Sequence, residues 1–265
     1  MAFATRMKFV NAVKKIYPRL GLRDTDIILA SFPRSGNTWT RFIWANIISI
    51  LEMDGREIDY TLLDSIFDAE YDSNSYGNFQ YNTLPRLVKT HKEYKKRIYG
   101  RNRTLYIYRH PGDVMVSYYE YLSSLRREPI KCMSLPDFIR TKKYGIQAWC
   151  KHILSWFNNA TATLSYESMM SNPEESFENV LKKLGITNIP IEVISEAIRR
   201  SDFNNVRDIA NKTGVTSLKS HWHKPEFNFA RKGSINQWKD YFNQEDVSFL
   251  NSRLKDEGLE KFSIL

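Results

Sequence analysis

The sequence predicts an α/β fold: a single domain in which a central, mainly parallel β-sheet is flanked by helices. Two observations lead there. Short apolar, β-rich runs alternate along the chain with longer helical patterns, the arrangement that builds βαβ units and covers both faces of a parallel sheet. No internal repeat, low-complexity tract or Gly/Ser/Pro-rich linker divides the 265 residues, so residues 1–265 are expected to share one sizeable core.

The elements follow in order. DIILASF (26–32) reads as a buried strand, with a helix after it from about Thr38 to Met53. LVKTH (87–91) and TLYIYR (104–109) are two further strands. A helix is expected from Asp113, its cap, to about Leu125, and another over 144–158. TATLSY (161–166) is the fourth strand. Asn172-Pro173-Glu174-Glu175 is a helix start, with an N-cap, proline at the first position and acids in the first turn; Leu184-Gly185 is the matching stop. Residues 209–232 show no sustained periodicity and read as a long functional loop.

Composition narrows the partners. A net charge of +9 suits a polyanionic ligand: nucleotide, nucleic acid or membrane surface. The basic residues are spread rather than striped and no nucleic-acid-binding signature is present, so no nucleic-acid partner is expected. The N-terminal stretch lacks the apolar run of a signal peptide, and the longest apolar stretch is too short for a bilayer; a cytoplasmic protein without a membrane partner is expected. Cys132 and Cys150 read as two free thiols.

Three constellations carry chemistry. Ser31-Phe32-Pro33-Arg34-Ser35-Gly36-Asn37-Thr38-Trp39 joins a strand to a helix, where backbone N–H groups and the helix dipole favour an anion. Gly36 allows close approach, Ser35 and Thr38 add hydroxyls, and Arg34 adds a forked cation. One glycine and no Lys-Ser/Thr pair separate it from the GxxxxGK[ST] loop. Tyr108-Arg109-His110-Pro111-Gly112-Asp113 leads into a helix bearing Ser117, so Arg109 and Ser117 could meet on one phosphate; Arg109 paired with a carboxylate fits the same residues. Arg231-Lys232-Gly233 follows the long loop as a possible phosphate clamp or a solvated basic pair.

Together, in this order, these segments resemble the soluble, cytosolic-type sulfotransferases that use 3′-phosphoadenosine 5′-phosphosulfate (PAPS), bacterial small-molecule enzymes among them. SFPRSGNTW resembles the family's TYPKSGTTW loop, YRHPGDVMVSYY its YxRNPxDxxVSxY segment, LSYESMMSNPEESFENVLKKLG its YEDL…P…FLG stretch, and RKGSINQWKDYF its RKGxxGDWKxxF. The resemblance implies a P-loop-kinase-like sulfotransferase fold. It implies that Arg34, Ser35, Gly36, Asn37 and Thr38 hold the 5′-phosphosulfate and that Trp39 stacks on adenine. Arg109, Ser117, Arg231, Lys232 and Gly233 would hold the 3′-phosphate, and Tyr166, Ser201 and Phe203 would complete the nucleoside contacts. His91, in LVKTH, matches the catalytic histidine and Lys89 its companion lysine. Arg34 replaces the family's lysine and cannot readily give a proton to a leaving group, which shifts that burden to Lys89. The family's dimerisation signature is not matched at Asn243, Gln244 and Ser248, which leaves monomer against dimer open.

The chemistry has a physical basis of its own. An acceptor hydroxyl needs its proton removed in the transition state, and a histidine suits that at neutral pH. PAPS carries an already activated sulfate, so no metal is required, and positioning with cationic stabilisation suffices for direct in-line transfer that releases adenosine 3′,5′-bisphosphate (PAP). A nucleotide-dependent small-molecule kinase and a basic nucleic-acid-binding module are the alternatives. Between Glu57 and Pro85 the chain has six acids (Glu57, Asp59, Asp64, Asp68, Glu70, Asp72) and no Lys or Arg, among several aromatic residues. This reads either as a solvated loop or as part of the site for a polar or cationic small-molecule acceptor, such as a guanidinium natural product, sulfated on oxygen or nitrogen.

Overall fold

Four apolar runs form four short strands in the computed structural model, which describes residue 19 and residues 21–67, 79–124, 129–213 and 233–264. They are β1 (Ile27–Ser31), β2 (Leu87–Thr90), β3 (Arg103–Tyr108) and β4 (Ala162–Ser165). They lie in the order β2-β1-β3-β4, all parallel. Ile27 pairs with Leu87 on one side and Arg103 on the other, and Leu105 pairs with Ala162. All four expected strands are present, each within a residue or two of its expected bounds.

The helices in chain order are α1 (Asn37–Glu52), α2 (Tyr60–Ile66), α3 (Lys96–Tyr99), α4 (Pro111–Ser123), α5 (Leu135–Arg140), α6 (Ile146–Trp156), α7 (Tyr166–Ser171), α8 (Pro173–Lys183), α9 (Ile191–Arg200), α10 (Phe203–Thr213) and α11 (Gln244–Asp256). Because strand side chains alternate between faces, the sheet feeds two cores. Ile27, Leu29, Leu105 and Ile107 pack with α1, α2, α8 and α9. Ile28, Ala30, Val88 and Tyr106 pack with α4, α5, α6 and α11. Every residue of β1 is buried, as a strand covered on both faces must be.

Several boundaries differ from the sequence reading, for identifiable reasons. α4 starts at Pro111, whose fixed φ suits a first helical position, and Asp113 does not cap it. Its carboxylate instead accepts N–H bonds from Asn236 (2.8 Å) and Trp238 (3.2 Å), tying the helix start to the segment after residue 233. α6 is shorter than expected at both ends. Pro173 opens α8 and Gly185, at φ 69°, follows its end, yet Asn172 makes no side-chain cap bond. The irregular stretch begins later than residue 209, because α10 continues to Thr213. Val206, Ile209 and Ala210 give it an apolar stripe against the first core, which the Asn- and Asp-rich polar face obscures. Residues 214–232 lie outside the described residues.

The strand order also places the site. From β1 the chain crosses to β2 on one side, then returns past β1 to β3 on the other. Loops leaving the carboxyl ends of β1 and β3 therefore diverge, and the crevice between them is where open parallel sheets bind ligands.

Candidate active site

At the end of β1 the chain turns through Phe32–Gly36 into α1. Arg34 (φ 70°) and Gly36 (φ 108°) both take left-handed backbone on either side of Ser35. For arginine this conformation is strained, and such strain concentrates at functional turns. At Gly36 it is required twice over, since an added Cβ would lie 2.9 Å from the Tyr166 ring. The turn leaves the first N–H groups of α1 facing the crevice, with no side-chain cap and no acid in the first turn. Ser35 is 1% exposed, and its Oγ has no hydrogen-bond partner. A buried hydroxyl left so is costly unless a ligand satisfies it.

Arg109 leaves the end of β3 and enters the same crevice. Its Nη2 donates to Ser234 O at 2.8 Å and lies 3.7 Å from Asp113 Oδ2; its Nη1 donates to Arg34 O at 3.4 Å. Its guanidinium sits 4.3 Å from the centre of the Tyr166 ring, and its buried Nε has no hydrogen-bond partner. The carboxylate pairing open in the sequence thus exists, and Arg109 also lines the cleft. Arg34 Nε donates to Ser117 Oγ at 3.1 Å, so the loop cation and the α4 hydroxyl meet. Tyr166 donates to Gly233 O at 3.0 Å and contacts the Trp39 ring edge-on at 5.7 Å. Gly233, at φ 62°, lies so close to Phe203 that a Cβ would clash with its ring. His110 stacks on Trp238, and burial lowers its pKa, so its place is structural.

His91 follows β2 directly. Parallel pairing of β2 with β1 brings its ring beside Ser31, and Nδ1 lies 2.7 Å from Ser31 O. A carbonyl only accepts, so Nδ1 carries the proton and Nε2 carries the lone pair. Burial, then the neighbouring Lys89 ammonium, push the His91 pKa down to about 3 against the opposing Ser31 carbonyl, so the ring is neutral at pH 7. Asn37 Nδ2 donates to Ser31 Oγ at 3.2 Å, and that Oγ is 3.4 Å from His91 Nδ1. The anion loop and the histidine are therefore held through one serine. Ser31 opens the strand-to-helix segment of the sequence reading without a role of its own; its position at a buried strand's carboxyl end is the signal that marks it.

These groups line one cleft of about 1280 Å³, above the usual 300–1,000 Å³ of a single-ligand pocket and roomy enough for two molecules. Arg34, Gly36, Asn37, Thr38, Trp39, Lys89, His91, Arg109, Ser117, Tyr166, Ser201, Phe203 and Gly233 all border it. Ser201, at the end of α9, has its hydroxyl engaged within the protein, donating to Ala197 O and accepting from Asn46. Arg231 and Lys232 lie outside the described residues, as do Asp68, Glu70 and Asp72. The cleft adds Tyr60 and Asp64, both from the acidic, aromatic segment 57–85, and Arg41, which has no role in the sequence reading. Arg41 lies one turn beyond Asn37 on α1, and that i, i+4 spacing from an anion-loop residue could have found it. Among the described residues, no group of three or more His, Cys, Asp or Glu is arranged to hold a metal ion, and no helix is long and apolar enough to cross a membrane. Cys132 and Cys150 are both free thiols, as expected.

Known proteins resemble this chain in sequence and in fold. The model of the sulfotransferase domain matches residues 24–263. Sulfotransferase 1B1 of Canis lupus familiaris is 27% identical over 236 residues, covering 83% of this chain and 79% of the relative. Flavonol 3-sulfotransferase of Flaveria bidentis is 27% identical over 262 residues (88% and 81%), and the amine sulfotransferase of Oryctolagus cuniculus 24% over 259 (92% and 83%). Among solved structures, a mouse sulfotransferase complexed with PAP superposes with a TM-score of 0.65 at 19% identity, covering 89% of this chain and 85% of that one. A retinol dehydratase with androsterone and PAP superposes at 0.64 and 20% identity (89% and 81%).

Proposed function

The chain belongs to the sulfotransferase domain family, and we propose that it moves the sulfuryl group of PAPS directly to a hydroxyl, or a nitrogen, of a small polar or cationic acceptor. The observation that carries this reading is the neutral His91, its Nε2 set to take a proton, in one cleft with an anion loop whose Ser35 hydroxyl lacks a partner.

The residues present fit the co-substrate. Ser35 Oγ, Arg109 Nε and Trp39 Nε1 are buried polar atoms with no hydrogen-bond partner, on the loop, at the end of β3 and on the first turn of α1. Arg34, Ser35, Gly36, Asn37 and Thr38 would hold the 5′-phosphosulfate, Arg109 and Ser117 the 3′-phosphate, and Trp39, Tyr166 and Phe203 the nucleoside, with Arg231 and Lys232 assigned from sequence alone. PAPS supplies an activated sulfuryl group. His91 Nε2 accepts the acceptor's proton as the new oxygen–sulfur bond forms, and the old sulfur–oxygen bond breaks to release PAP. Nδ1–H stays on the Ser31 carbonyl, which fixes the ring. Lys89 and Arg34 stabilise charge on the transferred group and the departing phosphate, and no covalent enzyme intermediate is needed. The cytoplasm is the proposed location.

Calorimetric titration tests the donor site. PAP should bind well and adenosine 5′-monophosphate at least tenfold more weakly, since hydrogen bonds to a charged 3′-phosphate contribute about 1.5–3 kcal/mol. Equal affinity for the two would count against the assignment.

A further inference from the structure

Beyond His91 the cleft wall carries a charged pair with no part in the transfer step. Arg41 Nη2 donates to Asp64 Oδ1 at 3.0 Å and to Phe67 O at 3.5 Å, with the guanidinium 5.9 Å from the Phe67 ring centre. α2 presents Asp64 and Tyr60 one turn apart on a single face. Asp59 caps this helix by accepting from Leu62 N at 2.7 Å, and Tyr60 meets Phe42 edge-on at 5.1 Å, so the face is fixed. Arg41, Tyr60 and Asp64 border the same cleft as His91, and α1 carries Arg41 one turn beyond the loop residue Asn37.

A second ion pair shows what a purely structural one looks like here. Arg86 and Asp26 are 3% and 1% exposed, and both carboxylate oxygens are bonded to the guanidinium ahead of β1 and β2. The Arg41–Asp64 pair is asymmetric instead: the arginine is 8% exposed and the carboxylate 30%, on the cleft. Buried ion pairs contribute little net stability, but a carboxylate held by an arginine is a preorganised hydrogen-bond acceptor. Arg34 and Lys89, which line the same cleft, are cations that can only donate, whereas Asp64 can accept.

We propose that Asp64, oriented by Arg41, determines acceptor specificity by taking a hydrogen bond from a second donor group, hydroxyl or ammonium, of an acceptor whose first hydroxyl faces His91. This rests on the sulfotransferase reading and names the class of acceptor within it.

Three phenols of one frame test it: 4-ethylphenol, 4-(2-hydroxyethyl)phenol and 4-(2-aminoethyl)phenol, titrated by calorimetry into the full chain saturated with PAP. The two donor-bearing phenols should bind at least tenfold more tightly than 4-ethylphenol. In Asp64→Asn that ratio should fall to within twofold of one, with PAP affinity within twofold of wild type, a split that a merely structural role would not give. If Asp64→Asn fails to fold, Arg41→Gln/Asp64→Asn, which replaces the pair with two hydrogen-bonding amides, carries the same expectation. No preference for the donor-bearing phenols in wild type, including no binding of any phenol, overturns the proposal, as does a preference that survives removal of the carboxylate. Failure to bind PAP at all would instead bring down the sulfotransferase reading beneath it.

Discussion

Replacing His91 separates its two nitrogens. In the structure Nδ1–H is committed to Ser31 O at 2.7 Å, so the ring's chemistry resides at Nε2. His91→Asn keeps a donor near the Nδ1 position and removes the base; His91→Ala removes both. General-base catalysis is worth about 10²–10⁴-fold, or roughly 2.7–5.5 kcal/mol of barrier at about 1.36 kcal/mol per decade. The hydrogen bond to Ser31 is worth about 1 kcal/mol of stability. Both variants should therefore lose at least 10²-fold in single-turnover rate, while only His91→Ala should also lose melting temperature. PAP affinity should stay within twofold of wild type in both. Because burial and Lys89 hold the His91 pKa near 3, the base is already unprotonated at neutral pH. The acid limb of kcat/KM should accordingly lie below the ordinary histidine value of about 6.5. The assay is rapid-quench transfer from PAPS at saturating donor. A His91→Asn enzyme with near-normal turnover would refute the argument.

Arg109→Met should weaken PAP binding by about 1.5–3 kcal/mol while changing adenosine 5′-monophosphate affinity little, measured by calorimetry; equal losses would mean that Arg109 acts elsewhere. Gly36→Ala would set a Cβ 2.9 Å from the Tyr166 ring on left-handed backbone, at a strain of about 1–3 kcal/mol. It should lower both the melting temperature and PAP affinity, and an unchanged variant would contradict the tight turn. His152 is buried, with Nδ1 3.1 Å from Tyr106 OH, and burial followed by the nearby His91 push its pKa down to about 3. Below pH 6.5 the unfolded chain binds a proton that the folded one refuses, so this contribution is complete above 6.5 and is lost as pH falls toward 3. Between pH 7 and 5 the loss is about 2 kcal/mol, and His152→Asn should flatten the fall in denaturant midpoint over that window; an equally steep fall would contradict it.

What the sequence made legible follows from what each signal depends on. β1 and β3 were readable as apolar runs between polar turns, as strands covered on both faces must be. The shorter β2 (LVKT) and β4 (ATLS) were readable as apolar and β-branched pieces between helical patterns. The turn at 32–36 was readable because left-handed backbone between a strand and a helix favours glycine, and Gly36 takes it at φ 108°. The Ser31–His91 bond was not, since 60 residues separate partners that only strand pairing brings together. The role of Asp113 was misread for a similar reason: its position suits a helix start, but its partners, Asn236 and Trp238, arrive from far along the chain. α2 was hidden inside an acidic segment that reads as either a solvated loop or an acceptor site, and its packing on α1 puts Asp64 on the cleft.

Sulfuryl transfer from PAPS with a neutral His91 as the base is open to direct measurement. The measurement that tests it most directly supplies sulfur-labelled PAPS and a panel of hydroxyl- and amine-bearing small molecules, without metal, to wild type and His91→Asn in parallel. Wild type should place label on at least one acceptor with one PAP released per transfer, and the variant should be at least 10²-fold slower. No transfer to any acceptor from PAPS, with phosphoryl transfer from ATP and magnesium in its place, would contradict it.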